Sequence, residues 1–86
     1  VPSERAATYL GLLLMSHRRL QEAEAPLLQA RAINPESPQA LNNLGVLRMR
    51  QGKFDVAMAL FERVLRFKPD HQNARKNLDT ILGKLR

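Results

Sequence analysis

The chain has 86 residues, which admits one domain with a small core. Its 44% hydrophobic and 26% charged residues are a folding composition, and with 5% aromatics and no Trp the core must be built from Leu, Ala, Val, Ile and Met. The absence of Cys excludes a disulfide framework, a thiolate metal site and a Cys nucleophile, while the net charge of +6 lies entirely in residues 47–86.

In chain order, Ala6–Met15 is the longest apolar stretch, too short to span a bilayer. His17-Arg18-Arg19 follow it where a signal peptide would carry a cleavage site, and the chain begins at Val1, as a piece of a longer or processed protein would. A first helix is expected over 4–17, and a second over 20–33 with a bend near Glu22–Pro26, because Pro26 removes a backbone bond. Asn34-Pro35-Glu36-Ser37-Pro38 must break the chain. Ser37 then caps a helix over 38–51, with Pro38 at its first position, where a missing N–H is harmless. Gln51-Gly52-Lys53 ends that helix, with Gly52 in the left-handed conformation. A fourth helix, 54–67, repeats Phe54, Ala57, Leu60, Phe61, Val64 and Leu65 on one face. The fifth, 72–84, carries Ala74, Leu78, Ile81 and Leu82 on one face and a polar back, and Asp70 is expected to cap it. No window alternates with period two, so no strand is expected.

Sliding the chain along itself until Ala6 meets Ala40 also pairs Leu10 with Leu44, Gly11 with Gly45, Leu13 with Leu47, Met15 with Met49, Ala23 with Ala57, Ala25 with Ala59 and Pro35 with Pro69. Roughly two or three such identities are expected by chance. The chain is therefore an internal repeat, and this offset is its period. Two helical glycines one period apart, each costing about 0.5–1 kcal/mol, imply close approach of the paired helix, expected at Ala23 and Ala57. Arg18 stands where Gly52 stands one unit later, so a non-Gly residue is expected to be held left-handed there.

The unit resembles the tetratricopeptide repeat, whose signature runs W-x2-L-G-x2-Y, A-x3-F, P. The matching residues are Leu44-Gly45, Ala57-x3-Phe61 and Pro69 in the second unit, and Leu10-Gly11, Ala23-x3-Leu27 and Pro35 in the first. The departures are Ala7 and Leu41 for Trp, and Leu14 and Arg48 for Tyr. The resemblance implies an all-α, right-handed helical-hairpin solenoid forming one domain over 1–86, with repeats 4–37 and 38–71 and a capping helix 72–84.

Catalysis has little support. His17 and His71 fall at helix ends, and no phosphate loop, metal-ligand cluster or nucleophile–base pair is present, so no enzyme activity, cofactor or metal is expected. The resemblance implies a protein-interaction scaffold whose first helices line a concave groove. Its candidate lining is Arg5, Thr8, Leu12 and Met15, then Asn42, Asn43, Val46, Met49 and Arg50, then Asn73, Lys76 and Asn77. Related repeats clamp acidic chaperone tails with Lys, Asn and Arg at places held here by Thr8, Leu12, Asn43, Asn73 and Asn77; only Asn43 agrees, so no such clamp is expected. Asn43 and Asn77, which occupy the same place in successive units, are expected to form an amide ladder for an extended peptide. The nearly all-apolar first helix implies an upstream helix or self-association through that face. The alternative function is a basic surface, including Arg63, Arg66, Lys68, Arg75 and Lys76, engaging nucleic acid or an acidic membrane or protein surface. The compartment stays open, with a soluble cytoplasmic setting favoured.

Overall fold

A computed structural model describes residues 3–85. Five helices follow one another: α1 (Glu4–Ser16), α2 (Leu20–Ile33), α3 (Pro38–Arg50), α4 (Phe54–Phe67) and α5 (Gln72–Lys84). Their boundaries match those read from the sequence to within one residue, and no strand occurs among the described residues. The ends are set by local chemistry. Ser3 Oγ accepts from the Ala6 N–H at 3.0 Å, and Ser37 Oγ from the Ala40 N–H at 3.2 Å, so α1 and α3 begin at hydroxyl caps. The α5 cap is His71 rather than the expected Asp70. A turn closed by the His71 N–H on the Lys68 carbonyl leaves His71 as the extended residue before the helix, and its Nδ1 accepts from the Ala74 N–H at 3.0 Å.

Both helical hairpins turn the same way. Arg18 (φ 62°) and Gly52 (φ 79°) are left-handed, as expected from their common place in the repeat. The next amide in each case bonds back into the helix, Arg19 N–H to Leu14 O at 2.8 Å and Lys53 N–H to Arg48 O at 2.9 Å. Helix α2 runs unbroken through Pro26.

Helix α1 packs on α2 and α3 on α4, forming two hairpins, and α4 packs on α5. Along the array α1 lies beside α3 and α3 beside α5, whereas α2 and α4 do not touch. The row α1, α3, α5 is therefore the closed, inner side of a curved solenoid, and α2 and α4 splay on the outside.

The hairpins close on their glycines. A Cβ on Gly11 would lie 2.5 Å from Leu27 Cγ, and one on Gly45 would lie 2.6 Å from Phe61 Cε1. The close approach is thus made by the large residues Leu27 and Phe61 and not at Ala23 and Ala57. Those alanines sit one turn earlier on the same helix faces and are fully buried, which lets the helix axes come near enough for Leu27 and Phe61 to reach the glycines. Around these contacts Leu41, Leu44, Leu47, Leu60, Val64, Leu78 and Ile81 form one continuous core. At the position of the family tyrosine, Arg48 instead binds Glu24 of α2, and it also donates to Gln51 Oε1 at 3.0 Å.

The flanks of α1 and α3 differ sharply at equivalent places. Leu10 and Leu13 of α1 are 46% and 41% exposed, whereas Leu44 and Leu47 of α3 are 1% and 0% exposed. Helix α5 has neighbours only in the preceding hairpin, yet its equivalents Leu78 and Ile81 are buried. Burial at these places therefore comes from the hairpin stacked in front, and α1 has none among the described residues.

The glycine contacts give opposite expectations for two similar substitutions. Gly45→Ala should destabilise the fold by about 1–3 kcal/mol, since the new Cβ would force the fully buried Phe61 ring to shift. Gly83→Ala in α5 meets no atom within 4 Å and should stabilise by about 0.5–1 kcal/mol, both read from urea unfolding.

Candidate functional site

The residues proposed from sequence lie on α1, α3 and α5 in different settings. Arg5, Leu12, Arg50, Asn73 and Lys76 are exposed, Val46, Met49 and Asn77 are half-buried, and Thr8, Met15, Asn42 and Asn43 are buried. Met15 belongs to the core cluster, against which Val46 and Met49 also pack. The nearly all-apolar sequence of α1 concealed which of its residues turns inward.

One depression of the inner face lies between α1 and α3. A pocket of about 400 Å³ is lined there by Arg5, Thr8, Leu12 and Asn43, together with Glu4, Tyr9 and Gln39. Those last three were not among the sequence candidates, although the repeat offered a signal. Gln39 is the repeat equivalent of Arg5, and Tyr9 is the repeat equivalent of Asn43. Side-by-side packing of α1 and α3 brings such pairs together.

The amides of the inner helices have different partners. Asn77 Nδ2 donates to Asn42 Oδ1 at 3.3 Å, so one amide of the expected ladder is engaged by the neighbouring inner helix. Asn43 Nδ2 has no partner. Arg50 Nη1 donates to the Met15 carbonyl at 3.3 Å, placing a cation at the C-terminal end of α1, where the helix dipole favours it. Asn73 and Lys76 line separate open clefts near His71 and Gln72.

At the other end of the pocket, Glu4 ties α1 to the loop before α3. Ser37 Oγ donates to Glu4 Oε2 at 2.5 Å and Asn34 Nδ2 donates to Oε1 at 3.1 Å. These bonds hold the carboxyl below its ordinary value of 4.5, the Ser37 bond contributing most. The Arg48 hydrogen bond, followed by its charge, lowers Glu24 in the same direction.

A tetratricopeptide repeat family model matches residues 8–72, from α1 to the start of α5. The chain belongs to the tetratricopeptide repeat family. Tetratricopeptide repeats as a class mediate protein–protein interactions and serve as non-enzymatic scaffolds. Among the described residues no helix is long and apolar enough to cross a membrane.

A carboxyl with a lowered native pKa contributes stability that is complete above its ordinary value and is lost as pH falls through the native one. The unfolding midpoint in urea should therefore decline as pH drops below about 4.5. The decline should be shallower in the Glu4→Gln, Glu24→Gln double variant.

Proposed function

We propose that the chain is a protein-interaction module that holds an extended segment of a partner protein along the inner face of α1, α3 and α5. The observation that carries this reading is the composition of that face. Uncovered Leu12 and half-buried Val46 and Met49 form an apolar strip, while Arg5, Asn73 and Lys76 stand exposed on the same helices. Methionine and valine accept varied apolar side chains, and the polar residues fix a segment's direction. Sequence-tolerant affinity comes from the partner's own backbone, which finds amides and hydroxyls on the same face.

The test is peptide selection from a random display library, followed by mapping on the ¹⁵N-labelled chain. Selected peptides should perturb α1, α3 and α5, and Leu12→Arg or Lys76→Glu should weaken them roughly tenfold. Glu62→Arg on α4 should leave binding unchanged. Perturbations confined to α2 and α4, or binding that vanishes steeply with salt in the manner of phosphate contacts, would favour the basic surface instead.

The flank of α1 supports a second contact. Leu10 and Leu13 occupy places that a stacked hairpin buries in α3 and α5, so the isolated chain pairs with a second copy through this flank. Sedimentation velocity should show concentration-dependent association that Leu10→Glu with Leu13→Glu abolishes. A monomer at high concentration would remove this contact and leave the groove reading intact.

A further inference from the structure

Two exposed arginines share one cleft with no acid in it. Among the described residues arginine–carboxylate pairs form twice, Arg19 with Glu22 and Arg48 with Glu24. No described carboxylate pairs with Arg18 or Arg50. Both line a cavity of about 480 Å³ at the C-terminal ends of α1 and α3, together with Met15, Ser16 and Leu20. Glu22 lies in the neighbouring cleft, where Arg19 takes it. Arg50 is anchored at the cavity, because its Nη1 donates to the carbonyl of Met15, and its remaining donors are unspent. Arg18 stands at φ 62°, a conformation held one repeat later by Gly52. Glycine would make that turn without the clash of a Cβ against the backbone. A strained residue that keeps a long cationic side chain beside a second unpaired cation suits binding better than turning the chain.

The chemistry of the cleft selects its anion. Two like charges in one cleft repel, and an anion between them removes that repulsion. The negative end of the α1 dipole falls at the same place, and it penalises a doubly charged group more than a singly charged one. Ser16 Oγ already donates to the Leu13 carbonyl at 2.7 Å, so it adds no donor for the third oxygen of a phosphate. A carboxylate has two oxygens in a plane, which the fork of a guanidinium matches. Half-buried Leu20 gives the cleft an apolar wall for the methylenes that carry such a group.

We infer that this cleft is a subsite for the side-chain carboxylate of a glutamate or aspartate of the partner segment, held by Arg18 and Arg50. The inference rests on the groove reading and gives the segment an acidic residue at a fixed place. Met49 of the apolar strip immediately precedes Arg50, so a segment lying on Val46 and Met49 carries its acidic residue to the turn between α1 and α2. The places at which related repeats clamp an acidic tail, held here by Thr8, Leu12, Asn43, Asn73 and Asn77, do not line this cleft.

The test uses three blocked amino acids, N-acetyl-glutamate amide, N-acetyl-glutamine amide and N-acetyl-phosphoserine amide, titrated into the ¹⁵N-labelled chain at low salt. Their main-chain amides are identical, so differences report the side chain. The glutamate probe should shift the signals of Ser16, Arg18 and Arg50, the arginine Nε–H groups included. It should bind roughly tenfold tighter than glutamine and no weaker than phosphoserine. Arg50→Gln should erase the glutamate preference. Arg18→Gly should erase it too and leave the Tm unchanged or higher, because glycine fits the turn. Arg66→Gln removes the same charge from a residue that does not line the cleft and should leave the preference intact. Equal response to glutamate and glutamine, or tighter binding of phosphoserine, overturns the inference on the unaltered chain alone. An equal loss in Arg66→Gln also overturns it, by assigning the binding to overall charge, as does an Arg18→Gly chain that keeps the preference. If the glutamate probe fails while library-selected peptides still perturb α1, α3 and α5, the carboxylate subsite is wrong and the groove stands. If both fail, the groove reading falls with it.

Discussion

The array depends on two contacts in which a large side chain fills the place of a missing one. Leu27 lies over Gly11 and Phe61 over Gly45, each closer than any Cβ would permit. Everything else in a hairpin follows from that closeness. The paired helices approach until Ala23 and Ala57 are fully buried, the turn within each hairpin must be short, and the left-handed residues Arg18 and Gly52 make it so. The backbone cost of a glycine inside a helix is offset by dense packing at the hairpin's centre.

That closure also disposes the functional face. With one side of α1, α3 and α5 committed to α2 and α4, the opposite side is left to form a continuous row. The row is polar where two inner helices meet and apolar between. Asn42 and Asn77 bridge α3 to α5, Arg50 bridges α3 to the end of α1, and the Glu4–Ser37–Asn34 cluster bridges α1 to the start of α3. These cross-helix bonds join units that share less apolar contact than the two helices of one hairpin do. In the midst of them, Thr8 and Asn43 remain unsatisfied, which sets the α1–α3 junction apart from the rest.

The sequence carried the helix boundaries and the repeat because both are written in local or periodic signals: Ser37-Pro38, Gly52, and the Leu-Gly, Ala and Pro positions that recur at one fixed spacing. It carried less about contacts between helices, which depend on rotation and stagger. The glycine partner was read as Ala23 or Ala57, one turn away from the true contact, because matching small residue to small residue ignores the reach of Leu27 and Phe61. The amide ladder was read from repeat equivalence alone, which does not show that Asn77 also reaches Asn42 across the inner helices. Met15 could not be told from Leu12 within a helix apolar on all sides, although one is core and the other surface. The cap of α5 moved by one residue because the preceding turn decides which side chain faces the free amides.

The gap between α2 and α4 gives the molecule a direction of compliance. The inner row is in contact throughout, but the outer helices meet only the inner row and not each other. Rocking one hairpin against the next about α3 would widen or narrow that outer gap while leaving Phe61 seated on Gly45 and Leu27 on Gly11. Stiffness therefore resides within hairpins and softness between them, as in a chain of rigid links. A load applied at the two ends would be taken up between hairpins, and the radius of the inner curve would change before any helix unravelled.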